Sequence, residues 1–504
     1  MSVQASVHRD AAASRKLRRI DGDVERMLTL MREDLGRSPD IVFREFRIGA
    51  SKQAALIYTD GLADSSQMHE MLIDSHLQEA PNVDARWFRD TFPSVPQLSE
   101  ISDPDMLYTS ILSGNCVVIV EGQTVAYSFD TPGWEQRGVS ESSTQTVIRG
   151  PKEAFTENIR TNTALVRRRI KDPRLWMEHR YVGRVTKTTV ALMYVKGIVN
   201  DDIVEEVRRR LDRIDIDGVL EGGYIEEFIQ DETYTPFPTV FNTERPDTVA
   251  AGLLEGRVAI LVDGTPFVLL VPVLFAQNLQ AAEDYYQRAD IATLLRVLRY
   301  AGFMITMLGP SIYIAVITFH QELIPTPLLI SLAAQREGIP FPAFVEAMMM
   351  EITFEFLREA GIRMPKTVGQ TISIVGALVI GQAAVEAGIV SAVMVIVVSS
   401  TAVASFILPA FNLSIAVRIL RFVLMGLAAS FGLFGVTIGL LALVLHLSSL
   451  RSFGVPYLSP FAPFVLRDQK DTIFRAPMWA MSTRPKKLGV KNVKRVDREP
   501  KQDE

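Results

Sequence analysis

Three almost uncharged runs in the second half of this chain constrain its fold more than any other feature. Thr367 to Val417 is 51 residues with a single charge, Glu386. Tyr300 to Phe319 and Phe422 to Leu450 carry no Asp, Glu, Lys or Arg. A helix needs roughly 20 apolar residues to cross the hydrocarbon core of a bilayer. The runs therefore predict about four crossings: one, then two joined by a tight turn, then one. Up to about Asp290 the chain reads as a charged, soluble protein. The averages of 22% charged residues and a net charge of −5 hide this division. The expectation is an α/β soluble head followed by an α-helical transmembrane domain.

The head carries signs of an internal duplication. Ala55-Leu56-Ile57-Tyr58-Thr59-Asp60-Gly61-Leu62 resembles Ala191-Leu192-Met193-Tyr194-Val195-Lys196-Gly197-Ile198. Leu112 to Gly122 resembles Leu254 to Gly264 in the same way. Each is an apolar strand that ends at a glycine turn. The glycine offsets, 136 and 142 residues, nearly agree. Two related subdomains are predicted, 41–150 and 151–290, after a polar N-terminal tail and helix over 1–40. The transmembrane domain is placed at 291–450 and a C-terminal cytoplasmic tail at 451–504. The lone cysteine, Cys116, excludes an intramolecular disulfide and lies in a run that predicts a buried strand thiol. The first 40 residues alternate charges and lack the apolar core of a signal peptide, so the head is expected in the cytoplasm. Arg296 and Arg299 before the first run agree with that side. The basic groups Arg167-Arg168-Arg169 and Arg208-Arg209-Arg210 read as solvated helix faces, the first with acidic lipid or a neighbouring subunit as its alternative. Nothing in the charge pattern suggests nucleic acid. Phosphate loops, zinc signatures and nucleophile elbows are absent, so no enzyme, cofactor or metal is expected.

Within the membrane half, Leu323 to Gln335 is apolar but too short to span upright and reads as re-entrant or interfacial. Pro340 and Pro342 introduce a helix from about Ala343 to Ala360. Glu351, Glu355 and Glu359 recur on it at i, i+4, i+8 and share one face. They form either a cation-attracting mouth or the wet side of a surface helix; spacing supports both. Thr367 to Gly388 is rich in small residues, with Thr371, Val375, Leu378, Gln382 and Glu386 on one helical stripe. That stripe reads either as a pore lining or as a helix-packing face ending in an interfacial Glu386. A four-crossing count places Arg418 and Arg421 on the side away from the head, against the usual charge bias. From these features alone a channel, a transporter or lipid-handling protein with a regulatory head, and a non-conducting scaffold all stand.

Several motifs resemble the A subunits of bacterial spore germinant receptors. They are Arg149-Gly150-Pro151, Asn242-Thr243-Glu244-Arg245-Pro246-Asp247, Arg257 to Gly264, and Pro266-Phe267-Val268-Leu269-Leu270-Val271-Pro272. Leu357-Arg358-Glu359-Ala360-Gly361, Ile380-Gly381-Gln382-Ala383-Ala384-Val385-Glu386-Ala387 and Ser452 to Pro460 follow in the family's order. The resemblance implies a multi-pass protein of the endospore inner membrane. It implies a homo-oligomer, a pentameric ring, that forms a nutrient-gated cation channel starting germination. It also implies a transporter-like B subunit and a C subunit lipoprotein as partners, besides membrane lipids. Read this way, Thr371 to Glu386 would line the pore and Glu351, Glu355 and Glu359 its mouth.

Overall fold

The computed structural model describes residues 16–48, 52–64, 83–91, 97–133, 145, 147–364 and 379–495. The head is built on two five-stranded antiparallel sheets. The first contains β1 (Ile41–Ile48), β2 (Lys52–Thr59), β3 (Leu98–Ile101), β4 (Cys116–Val120) and β5 (Ala126–Phe129), in the order β1-β2-β4-β5-β3. The second contains β6 (Leu175–Val182), β7 (Thr188–Val195), β8 (Phe241–Thr243), β9 (Val258–Val262) and β10 (Val268–Val271), in the order β6-β7-β9-β10-β8. The orders correspond strand for strand.

Three helices are described in the first unit and four in the second. In the first unit these are α1 (Val24–Asp34), α2 (Ala85–Thr91) and α3 (Pro104–Leu112). In the second they are α4 (Ile159–Arg169), α5 (Asp201–Asp212), α6 (Gly222–Ile229) and α7 (Pro246–Leu254). α3 and α7 both start on a proline, which suits a first turn that has no acceptor for its N–H. Gly61 and Gly197, and again Gly122 and Gly264, close equivalent turns with φ between 77° and 88°. A side chain is disfavoured in that region.

The central strands explain why both faces of each sheet are covered. β4 and β9 are buried along their whole length. Val117 and Ile119 enter a core with α1 and α3, while Cys116, Val118 and Val120 enter a second core with Phe88 of α2. Likewise Val258, Ile260 and Val262 pack with α5 and α6, and Ala259 and Leu261 with α4 and α7. Cys116 is fully buried, and burial pushes its thiol up to about 12.

Arg167, expected on a solvated face, is instead buried between the two units. It donates to both oxygens of Asp40, at 2.6 and 3.0 Å, and to the carbonyl of Leu175. Its position on α4 aims it at the first unit, whereas Arg168 and Arg169 stay near Glu153. The second arginine group is also largely paired. Arg208 meets Glu178, and Arg210 meets Glu206 and Asp231; Arg209 remains the exposed member.

The second half of the chain, the expected membrane unit, contains α8 (Ala289–Phe319), α9 (Thr326–Arg336), α10 (Ala343–Arg363), α11 (379–386), α12 (Ala392–Phe406) and α13 (Phe411–Ser449). Among the described residues, α8 and α13 are the helices long and apolar enough to cross a membrane. α8 continues through Pro310. α12 packs on it where glycines leave room: a Cβ on Gly302 would lie 3.3 Å from the Ala404 carbonyl, and one on Gly309 3.1 Å from the Thr401 hydroxyl.

Phe422 to Leu450 does not form one straight span. A 39-residue helix would reach about 58 Å, well beyond a hydrocarbon core of about 30 Å. α13 breaks at Gly432, which has φ 61° and ψ −145°. A Cβ on Gly439 would sit 2.6 Å from Leu424, which requires the chain to fold back on itself. The arms, 411–431 and 433–449, are about 31 and 25 Å long. The fold-back tip rests on Phe319 and His320, at the far end of α8.

Candidate functional site in the membrane unit

α10 starts at Pro342, which serves as N-cap with extended backbone, and runs through the three carboxylates of the stripe. The structure separates their environments. Glu351 is fully buried and lies 2.7 Å from Arg421 of α13. Glu355 is about a quarter exposed and lies 2.7 Å from Arg418, 3.4 Å from Arg421 and 3.5 Å from Arg358. Glu359 is solvent-facing and pairs with Arg363 one turn on, at 2.6 Å. In this structure Glu351 and Glu355 therefore face arginines rather than standing open beside Glu359. Helical spacing placed the acids on one face; it carried no information on the cations 63 or more residues later that meet them. The available signal was the pair Arg418 and Arg421 itself, because arginines inside an apolar run need a partner.

Arg358, absent from the expected site, joins the cluster. It donates to the Ser405 hydroxyl of α12 at 3.0 Å and lies against the rings of Phe354 and Phe406. One turn before Glu351, buried Glu346 accepts from the Ser391 N–H at 3.0 Å and faces Arg336 at the same distance. Ser391 also caps α12. α10 is thus tied by charge or hydrogen bond to α9, α12 and the first arm of α13.

Of the predicted pore stripe, Thr371, Val375 and Leu378 lie outside the described residues. Gln382 and Glu386 fall on α11 and just at its end; they are exposed, and the Gln382 amide donates to Glu386 at 2.8 Å. That contact keeps the stripe's last two members on one face.

The head meets the membrane unit at both ends of α13. Glu226 of α6 accepts from Asn242 at 3.4 Å and from Asn412, in the first turn of α13, at 3.5 Å. Burial pushes Glu226 up to about 7. His446, near the end of the second arm, contacts the Thr235 hydroxyl at 2.9 Å. Arg418 and Arg421 therefore sit on the head half of the unit, not opposite it. Arg296 and Arg299 are not free surface charges either. Both bind the fully buried Asp284, and Arg296 also binds Asp471 of the C-terminal segment at 2.8 Å. Burial raises the Asp471 carboxyl and the Arg296 charge opposes that rise.

The C-terminal segment is folded onto the head. Phe453, Val455, Leu488 and Val490 enter the core around α5 and α6. Arg484 donates to the Leu254 carbonyl at 2.7 Å, Arg495 meets Glu255 at 2.8 Å, and Lys491 pairs with Asp201. Among the described residues no cluster of side chains could hold a metal ion.

Comparison with known proteins gives one consistent result. Residues 29–487 match the family model described as Bacillus/Clostridium GerA spore germination protein. Spore germination protein KA of Bacillus subtilis is 49% identical over 91% of this chain and 85% of its own length. The uncharacterized membrane protein YfkQ of the same organism is 47% identical over 95% of this chain and 93% of its own. The crystal structure of the N-terminal domain of the A subunit of the Bacillus megaterium spore germinant receptor GerK3 is 42% identical, with a TM-score of 0.42. The match covers 52% of this chain and 99% of that domain.

Proposed function

The chain belongs to the GerA family of spore germination proteins, the A subunits of germinant receptors, and from that premise we propose that it is the conducting subunit of a nutrient-gated channel. In this reading a ring of copies, a pentamer, stands in the inner membrane of the endospore with the heads in the cytoplasm. It works with a transporter-like B subunit and a lipoprotein C subunit, and its opening lets cations cross at the start of germination.

One observation carries the reading: α10 brings ionisable groups inside an apolar helical unit and pairs them with arginines of α13. Charged side chains at such positions are costly and mark ion paths or switching contacts. Paired, they hold α10 against α13, which suits a closed state. Separated, Glu351 and Glu355 would be free to draw cations toward the stripe of Thr371, Val375, Leu378, Gln382 and Glu386. The correspondence of the two sheets supports a head built by duplication, a rigid double lever joined to the membrane unit through Glu226 and His446.

The test is conductance and ion release. Purified Val375→Ser protein in liposomes should pass monovalent cations. Spores carrying Val375→Ser should leak ions without nutrient at normal subunit abundance, because a polar residue lowers a hydrophobic barrier to wetting. Absence of conductance together with wild-type release by the variant would favour a non-conducting scaffold.

A further inference from the structure

The charged cluster between α10 and α13 does not balance. Its members are Glu351, Glu355, Arg358, Arg418 and Arg421, two carboxylates against three guanidinium groups. Arg421 is fully buried, yet its Nε and Nη1 have no hydrogen-bond partner, and neither do the oxygens of Glu351, which meets Arg421 Nη2 as an ion pair only. The Nε atoms of Arg358 and Arg418 are also buried and unpartnered. Arginine has no acceptor and does not deprotonate, so it cannot relieve this burial by losing its charge. An uncompensated charge in a low-dielectric site is strongly destabilising. Among the described residues nothing else supplies the missing negative charge.

We propose that this cluster is a binding site for a singly charged oxyanion, the phosphate group of an anionic membrane phospholipid. Guanidinium forks match phosphate oxygens in geometry and charge. Access is from the side of Arg418 and Glu355, whose side chains are 18% and 26% exposed, whereas Arg421 and Glu351 close the inner end. Depth agrees as well. Arg418 lies about 9 Å along α13 from Asn412, the residue that touches the head. That is the level at which headgroups give way to acyl chains if Asn412 stands at the membrane surface. Phe354 and Phe406, against Arg358, offer apolar surface for a glycerol backbone and the start of its chains. The phosphate would sit where α10, α12 and α13 converge, and its presence would favour their closed arrangement. The lipid source rests on the membrane reading given above; the oxyanion site itself does not.

Thermal unfolding of the full chain in an uncharged detergent tests this. Three additions are compared: phosphatidylglycerol, phosphatidylcholine and sodium phosphate, with sodium chloride matching ionic strength. Phosphatidylglycerol should raise the wild-type midpoint by a few degrees more than phosphatidylcholine. Arg418→Gln should remove that difference while leaving the lipid-free midpoint unchanged or higher, because it removes the excess positive charge. A purely structural Arg418 would instead lower the midpoint in every condition. Stabilisation by sodium phosphate as well as by phosphatidylglycerol, lost in Arg418→Gln, supports the site with a free oxyanion as an alternative source. A response to sodium phosphate alone keeps the site but overturns lipid as its occupant. No wild-type response to any anion, or an equal response in Arg418→Gln, overturns the site and leaves a neighbouring subunit's carboxylate as the source of the missing charge.

Discussion

At the residue scale, buried charge decides more than exposed charge. Glu351→Gln leaves Arg421 without its nearest counter-ion, and breaking a buried pair costs about 3–5 kcal/mol. The expected result is a clear loss of folded protein in the membrane. Glu351→Gln combined with Arg421→Met should recover most of it, since neutral replacement of both partners removes the uncompensated charge. Subunit abundance on immunoblots reads both outcomes. Glu226 gives a pH prediction outside the bilayer. Burial raises its carboxyl from 4.5 to about 7, so the protonated form is favoured in the folded protein. Its stabilising contribution is full below about pH 4.5 and is lost as pH rises through about 7. The contribution is of order 1–3 kcal/mol. Melting temperature should fall from pH 5 to pH 8, and Glu226→Gln should reduce that slope. The sequence made Glu351, Glu355 and Glu359 visible as one face because a helix has a fixed period. It hid which of them were neutralised, because Arg418 and Arg421 approach only when α13 folds beside α10.

At the scale of elements, the strands and the start of α10 were legible and the fold-back of α13 was not. The strands around Gly61, Gly197, Gly122 and Gly264 announce themselves because apolar runs and glycine turns are local signals. Pro342 marks the start of α10 for the same reason. Gly432 gives no such signal, since Gly426, Gly435 and Gly439 surround it in an equally apolar run. What distinguishes it is its positive φ and its contact with His320, where a Cβ would come within 2.8 Å. Gly432→Ala should therefore destabilise the unit, by about 1–3 kcal/mol from backbone strain alone and more from the clash. Gly426→Ala, where a Cβ meets nothing within 4 Å, should be neutral or stabilising by up to about 1 kcal/mol. Melting temperatures of the two purified variants give the comparison. Equal effects would mean that the arms do not part at Gly432.

At the scale of the whole molecule, the head and the C-terminal segment pack together, so the proposed membrane arrangement puts both on one side. Arg484, Lys491 and Arg495 are bonded to the second sheet's unit, and Asp471 is bonded to the first helix of the membrane unit. The expectation of a cytoplasmic tail over 451–504 could not show that the segment is folded onto the head rather than loose. The far side is defined by Phe319, His320 and Gly432, which meet at the fold-back tip. Chain sidedness is therefore measurable with three single cysteines: Val185→Cys on the head, Phe474→Cys on the C-terminal segment and Glu322→Cys beyond the end of α8. All three positions are exposed, and native Cys116 is buried with its thiol held protonated, so it leaves no background. In intact protoplasts an impermeant maleimide should label Glu322→Cys alone. Permeabilisation should then expose Val185→Cys and Phe474→Cys together. Labelling of those two alone would keep the fold and reverse the orientation. Separation of Val185→Cys from Phe474→Cys would be incompatible with the packing of residues 484–495 on the head.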